Sequence, residues 1–138
     1  MPYPEQICAP MREDLTSVGF EELKTPQEVD NVLNNSKGTV LVVLNSVCGC
    51  AAGAARPAAK LAIQNDKRPD KITTVFAGQD VEAVAQARKH MMPYPPSSPS
   101  MALFKDGKLV HFIERHQIEG RSANMIAVDL VKVFEQYC

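Results

Sequence analysis

The run Thr39-Val40-Leu41-Val42-Val43-Leu44-Asn45 is apolar between its two ends and rich in β-branched side chains. A strand with one wet face alternates apolar and polar residues, whereas an unbroken apolar run suits a strand covered on both faces. The rest of the chain must therefore provide cover on both sides of a sheet. Gly38 ends the segment before this strand. Ser46-Val47-Cys48-Gly49-Cys50 follows it directly, and an alanine-rich stretch from Ala51 to Ala62 comes next. Alanine is the best helix former, so this stretch reads as a helix, with a kink expected at Pro57. The two cysteines thus fall between the C-terminal end of a central strand and a helix N-terminus, where open α/β sheets place their binding sites.

Other segments supply the cover. Pro2, Pro4 and Pro10 predict an irregular start over about residues 1–10. Met11, Leu15 and Val18 then recur at helical spacing, with Gly19 as a stop, and Phe20 to Leu23 suits a short edge strand. Thr25-Pro26-Gln27-Glu28 joins a capping box to a proline at the first helical position, and Val29, Val32 and Leu33 give that helix an apolar face. Asp66 to Lys71 reads as a loop, and Ile72 to Ala77 as a second buried strand. Asp80 is placed to cap a helix carrying Val81, Val84, Ala85, Arg88 and Met91. Met92 to Pro99, with four prolines, breaks regular structure. Asp106-Gly107 between Met101–Lys105 and Leu109–Glu114 is a strong hairpin signal. His116 to Arg121 reads as a loop, and Ser122 can cap a last helix with Ile126, Leu130, Val133, Phe134 and Tyr137 on one face. Strand–helix–strand crossovers followed by a hairpin imply a mixed sheet between helices, an α/β fold.

The chain's 138 residues amount to one domain, taken as 1–138. Its 45% hydrophobic and 22% charged residues match a soluble globular protein and exclude a disordered chain. Lys and Arg number 15 against 16 Asp and Glu, so there is no basic excess to hold a phosphate backbone, and nucleic acid is not an expected partner. The apolar run from Val40 to Leu44 is far too short to cross a bilayer, so no membrane association is expected. Met1-Pro2-Tyr3-Pro4-Glu5 lacks the charged-then-apolar organisation of a signal peptide, and the expected location is the cytoplasm.

The chemistry rests on the cysteines Cys8, Cys48, Cys50 and Cys138. In a reducing compartment such residues are seldom structural disulfides. A thiolate is the species that attacks disulfides, and helix N-terminal N–H groups stabilise one. Cys48, just before the alanine-rich helix, is therefore expected to be the more acidic and more exposed thiol and the nucleophile, with Cys50 its neighbour on the first turn. Gly49 is expected to let the backbone bend and a substrate approach. A Cys48–Cys50 disulfide closes a smaller ring than a C-x-x-C disulfide, which restricts its geometry and favours exchange over reduction. Two other readings remain open: a Cys-x-Cys metal-binding protein, with further ligands from Cys8, Cys138 or the histidines, and a pair of inert buried cysteines. No motif for an organic cofactor is present.

A second constellation, Ser97-Ser98-Pro99-Ser100, precedes the hairpin. Ser98 and Pro99 are candidate substrate-binding residues, because a proline here leaves neighbouring backbone free to pair with an extended substrate. A plain proline-rich loop is the alternative. Arg56 is a candidate to hold a carboxylate of a small thiol, against a solvated helix position. His90 needs no more than a helix-dipole contact, His111 fits a strand face and His116 a loop. Cys8 and Cys138, near the two ends, read as free tail cysteines.

The order strand, cysteine-pair loop, proline-kinked helix, strand, helix, loop proline, hairpin and terminal helix is similar to the thioredoxin fold, a three-layer sandwich. Asn45-Ser46-Val47-Cys48-Gly49-Cys50-Ala51-Ala52-Gly53 with Arg56-Pro57-Ala58 resembles the bacilliredoxin family. So do Val75-Phe76-Ala77-Gly78-Gln79-Asp80, Ser97-Ser98-Pro99-Ser100 and His116-Gln117-Ile118-Glu119-Gly120. The resemblance runs from about Pro10 to Cys138. It implies a cytoplasmic thiol–disulfide oxidoreductase that removes bacillithiol, a small thiol serving as co-substrate, from bacillithiolated client proteins. It also implies that Cys48 is the attacking cysteine, Cys50 the second one and Pro99 the loop proline facing the active site, and it allows disulfide isomerase activity. The chain departs from ordinary thioredoxins in its C-x-C spacing, in having no tryptophan, and in a central strand without a buried acid. These differences argue against a general reductant.

Overall fold

The computed structural model describes residues 3–35 and 37–138. Thr39–Asn45 forms β2, buried at every position, and its side chains alternate between two hydrophobic layers. Leu41 and Val43 join one core with Leu15, Phe20, Ala55, Ala58, Ala59, Ile126, Leu130 and Phe134. Val40, Val42 and Leu44 join the other with Val29, Leu33, Val84, Ala87 and Phe104. Both faces being dry is the reason no polar residue interrupts the run.

The sheet has the order β1 (Glu21–Glu22), β3 (Lys71–Phe76), β2, β4 (Ser100–Lys105), β5 (Lys108–Ile113). β1, β3 and β2 are parallel, while β4 and β5 run antiparallel. One face carries α2 (Pro26–Asn35) and α4 (Val81–His90). The other carries α3 (Arg56–Ala62) and α5 (Ala123–Tyr137), with α1 (Glu5–Thr16) beside α3. This is the three-layer α/β sandwich with a mixed sheet expected from the sequence. Buried Thr73 and Thr74 are satisfied within the sheet, donating to the carbonyls of Leu41 (2.9 Å) and Val43 (2.8 Å).

Local signals acted as written at several ends. Glu28 N–H donates to Thr25 Oγ1, while the Glu28 carboxylate accepts from Lys24 N–H. Ser122 Oγ accepts from Met125 N–H and opens α5. Asp106 (φ 51°) and Gly107 (φ 82°) are both left-handed, as a type I′ hairpin requires.

Three expectations are corrected. The start is not irregular to residue 10: α1 begins at Glu5 and runs through Pro10. Met1 and Pro2 lie outside the described residues. Tertiary contacts override the local prolines, because Arg12 on α1 meets the carboxylates of Glu5, Glu22 and Asp80 and lies over the ring of Phe76. Asp80 stands before α4, yet its carboxylate makes no cap and is spent on Arg12 at 2.6 and 3.1 Å. Cys8 is not a tail residue: it is wholly buried on α1, and burial raises its thiol pKa.

Candidate active site

The end of β2 is fastened from three sides. Asn45 Nδ2 donates to the Met11 carbonyl on α1 (3.0 Å), and its Oδ1 accepts from Ser46 N–H (2.9 Å). Arg56 Nη1 donates to the same Oδ1 (2.8 Å) and to the Ser46 carbonyl (3.0 Å), while its Nε reaches Asp14 (3.1 Å). Ser46 Oγ then accepts from Cys48 N–H (3.2 Å). The Cys48 carbonyl accepts from Ala51 N–H and Ala52 N–H, so Cys48 closes the first turn of the helix. That turn passes through a π-helical segment, Ala51–Ala55, before α3 begins at Arg56 with Pro57 in its first turn. Arg56 is therefore not a solvated helix residue. It is 5% exposed, and its donors hold the strand exit beneath the cysteines.

The two thiols are free and half-buried. Cys48 Sγ lies 3.4 Å from Cys50 N–H and 3.3 Å from Arg115 Nη2. The Cys50 N–H does most to hold the Cys48 thiol below its ordinary pKa, helped by the Cys50 thiol, the Arg115 charge and Ala51 N–H. Cys50 moves the other way. Its thiol is raised first by donating to Cys48, then by burial and by the negative charges of Cys48 and Glu119. Its sulfur stands 3.8 Å from Glu119 Oε1. The pair is thus polarised: the first thiol is the easier to ionise and the second the harder.

Arg115 is the residue the sequence reading passed over. It opens a single 3₁₀ turn, Arg115–Gln117, that follows β5 and is held by a Glu114–Gln117 capping box. Its Nε pairs with Glu119 Oε1 at 2.5 Å, its Nη1 donates to the Ser98 carbonyl (3.3 Å), and its N–H to Ser97 Oγ (3.4 Å). The turn is therefore clasped to the Ser97–Ser98–Pro99 loop, where the Ser98–Pro99 peptide is cis and Pro99 is buried. The four-residue spacing of Arg115 and Glu119 was a usable signal for an ordered turn. His116 projects away, largely exposed, with Glu114 as its nearest acid.

A cleft of about 440 Å³ opens beside Cys48, lined by Tyr3, Ser46, Val47, Ala77, Gly78, Arg88, Ser98 and Arg115. Gly49 is exposed, takes no left-handed conformation, and has open space where a Cβ would stand. The chain turns through it into the helix, in a conformation that does not require glycine. Among the described residues, no three His, Cys, Asp or Glu side chains converge where they could hold a metal ion. Chemically, the arrangement presents a sulfur whose thiolate is favoured beside an open cleft, with a second, less acidic thiol alongside.

The family model described as disulphide isomerase matches residues 3–138. A bacilliredoxin of Cytophaga hutchinsonii is 54% identical over 134 residues, covering 97% of this chain and 98% of the relative. A bacilliredoxin of Halalkalibacterium halodurans is 52% identical over 136 residues, covering 99% and 94%. Among solved structures, Fasciola hepatica thioredoxin aligns with a TM-score of 0.61 at 21% identity, over 86% of this chain and all of that one. Saccharomyces cerevisiae mitochondrial thioredoxin 3 aligns with a TM-score of 0.58 at 18% identity, over 89% and 98%. These structural likenesses place the sandwich in the thioredoxin fold. Among the described residues, no helix is long and apolar enough to cross a membrane.

Proposed function

The chain belongs to the bacilliredoxin family and is a thiol–disulfide oxidoreductase, and on that premise we propose that it strips bacillithiol from mixed disulfides on protein cysteines, using Cys48 as nucleophile. The observation that carries this reading is the pair of donors on Cys48 Sγ, Cys50 N–H and Arg115 Nη2, which favour its thiolate. The Cys48 thiolate attacks the bacillithiol sulfur. A Cys48–bacillithiol disulfide forms as the client's S–S bond breaks, and the electron pair leaves on the client sulfur, which takes a proton. Either of two steps regenerates the enzyme. Cys50 attacks Cys48 and releases bacillithiol, leaving an internal disulfide that needs an external thiol reductant. Alternatively, a second bacillithiol attacks the adduct, freeing Cys48 and forming the bacillithiol disulfide. No bound cofactor enters either route, and the proposed setting is the cytoplasm, where thiols stay reduced.

The test is mass spectrometry of the reduced protein after mixing with a bacillithiolated carrier protein. The expected product is a bacillithiol adduct on Cys48 with the carrier released. Cys48→Ala abolishes release, whereas Cys50→Ala retains it and accumulates the adduct. Equal loss of release in both variants would sink the assignment of roles. Absence of the adduct together with rearrangement of scrambled disulfides would move the reading to the isomerase activity named in the family description.

A further inference from the structure

Internal resolution of a Cys48 adduct depends on the second sulfur, and an acid stands beside that sulfur. β2 carries no acidic side chain, so the carboxylate near the pair comes from another element. Glu119 lies just beyond the 3₁₀ turn Arg115–Gln117, in the block His116–Gly120 that the exchange steps leave unused. Its Oε1 is 3.8 Å from Cys50 Sγ and 2.5 Å from Arg115 Nε. The charged groups that face Cys50 are the Cys48 sulfur, Arg115 and Glu119, and the rest of its side chain packs against the apolar core.

The reduced site and the adduct differ by one charge. With Cys48 reduced, its sulfur is the first acceptor for the Cys50 S–H. Once Cys48 is part of a mixed disulfide, its sulfur is neutral and a poor acceptor. Among the described residues, Glu119 is then the anion left beside Cys50. An anion in this place favours the thiol over the thiolate, and the thiolate is the species that attacks a disulfide. Arg115 holds the Glu119 carboxyl below its usual range, so Glu119 stays charged and is a weak base. We propose that Glu119 sets the route by which the enzyme is regenerated: its carboxylate, clasped by Arg115 and placed beside Cys50, delays the internal disulfide and leaves the Cys48 adduct to an outside thiol. This rests on the exchange reading above and chooses between its two regenerating steps.

One reagent separates the two sulfur steps. Reduced Cys138→Ala protein is mixed with one equivalent of 2,2′-dipyridyl disulfide, Cys8 being wholly buried. Cys48 attacks first: a Cys48–thiopyridyl disulfide forms, the reagent's S–S bond breaks, and pyridine-2-thione leaves with the electron pair and takes a proton. Cys50 then loses its proton to solvent and attacks Cys48 Sγ. The internal disulfide forms, the Cys48–thiopyridyl bond breaks, and a second thione leaves with the electron pair and a proton. Absorbance follows both releases, the second being independent of protein concentration, and mass spectrometry identifies adduct and internal disulfide.

Glu119→Gln should speed the second release about fivefold at neutral pH, the effect of removing one unit charge about 4 Å away in water-like surroundings. The midpoint of its rise with pH should fall, the gain should shrink in high salt, and Glu119→Asp should lie between. With 2-mercaptoethanol present, a larger share of the variant's adduct should end as internal disulfide. A second release unchanged or slowed in Glu119→Gln overturns the proposal, slowing being the mark of a proton acceptor. So does a gain without movement of the pH midpoint, which marks a change of geometry. No second release from either protein also overturns it, since ring strain and not Glu119 would then block the route. Absence of the first release refutes the exchange reading itself, so the two failures are told apart by which thione is missing.

Discussion

Arg56 offers the sharpest test of how the fold holds its chemistry. It is buried, and two of its bonds, to Asn45 Oδ1 and the Ser46 carbonyl, lie within the interior. Arg56→Met keeps much of the volume and removes only the donors. The Ser46 carbonyl loses this buried donor, at about 1–3 kcal/mol. Asn45 Oδ1 keeps Ser46 N–H and loses a charge-assisted bond, at about 1–2 kcal/mol. Asp14 keeps Lys60 at 2.7 Å and is partly exposed, so its loss is small. The total is about 3 kcal/mol, or a melting temperature lower by roughly 10 °C for a domain of this size. Urea denaturation gives the free energy and calorimetry the midpoint. A second readout separates positioning from bulk stability. Ser46 Oγ fixes Cys48 N–H, so the Cys48 exchange rate should fall well below the folding midpoint, at temperatures where the variant is fully folded. A loss under 1 kcal/mol, or a normal exchange rate in a destabilised protein, would refute the claim that Arg56 sets the strand exit.

Two further outcomes follow from the charges. Alkylation of Cys48 by iodoacetamide, followed by mass spectrometry against pH, should rise through a midpoint below that of an ordinary thiol, about 8.5, because the folded site favours the thiolate. Arg115→Gln should move that midpoint up without restoring it fully, since Cys50 N–H remains, and an unmoved midpoint would exclude a contribution from Arg115. Arg12→Leu should destabilise the protein by about 3 kcal/mol at neutral pH, since Glu22 and Asp80 lose their shared partner. Arg12 also holds the Glu5 carboxyl below its usual range. That contribution is present above the unfolded value of about 4.3 and is lost as pH falls through the folded one. The gap between wild type and variant in urea should therefore narrow in acid, and a gap independent of pH would contradict the pairing.

What could be read in the sequence was whatever short stretches decide by themselves. The double-sided burial of β2 follows from its unbroken apolar run, the hairpin from Asp106-Gly107, and the caps of α2 and α5 from Thr25–Glu28 and Ser122. The position of Cys48 at a strand-to-helix junction followed from the same local logic, and with it the direction of its pKa. What escaped was set by partners far along the chain. Arg12 draws its acids from residues 5, 22 and 80, which is why α1 tolerates Pro10 and why Asp80 does not cap α4. Arg56 looked solvated because nothing nearby in sequence reveals Asn45 and Ser46 converging on it. Arg115 lies 67 residues from Cys48 and reaches it only because β5 delivers the following turn to the cis-proline loop.

The foremost influence on the Cys48 sulfur is a main-chain donor, the N–H of residue 50. Such a donor is indifferent to which side chain the position bears. The reactivity of the first sulfur and the identity of the second residue are therefore separable traits: lineages or engineers can exchange Cys50 for serine or alanine and still inherit a primed nucleophile. A single-cysteine descendant of this domain would lose internal resolution but remain an efficient thiol acceptor, dependent on an outside thiol to complete each cycle. Only an imino acid at that position would silence the donor itself.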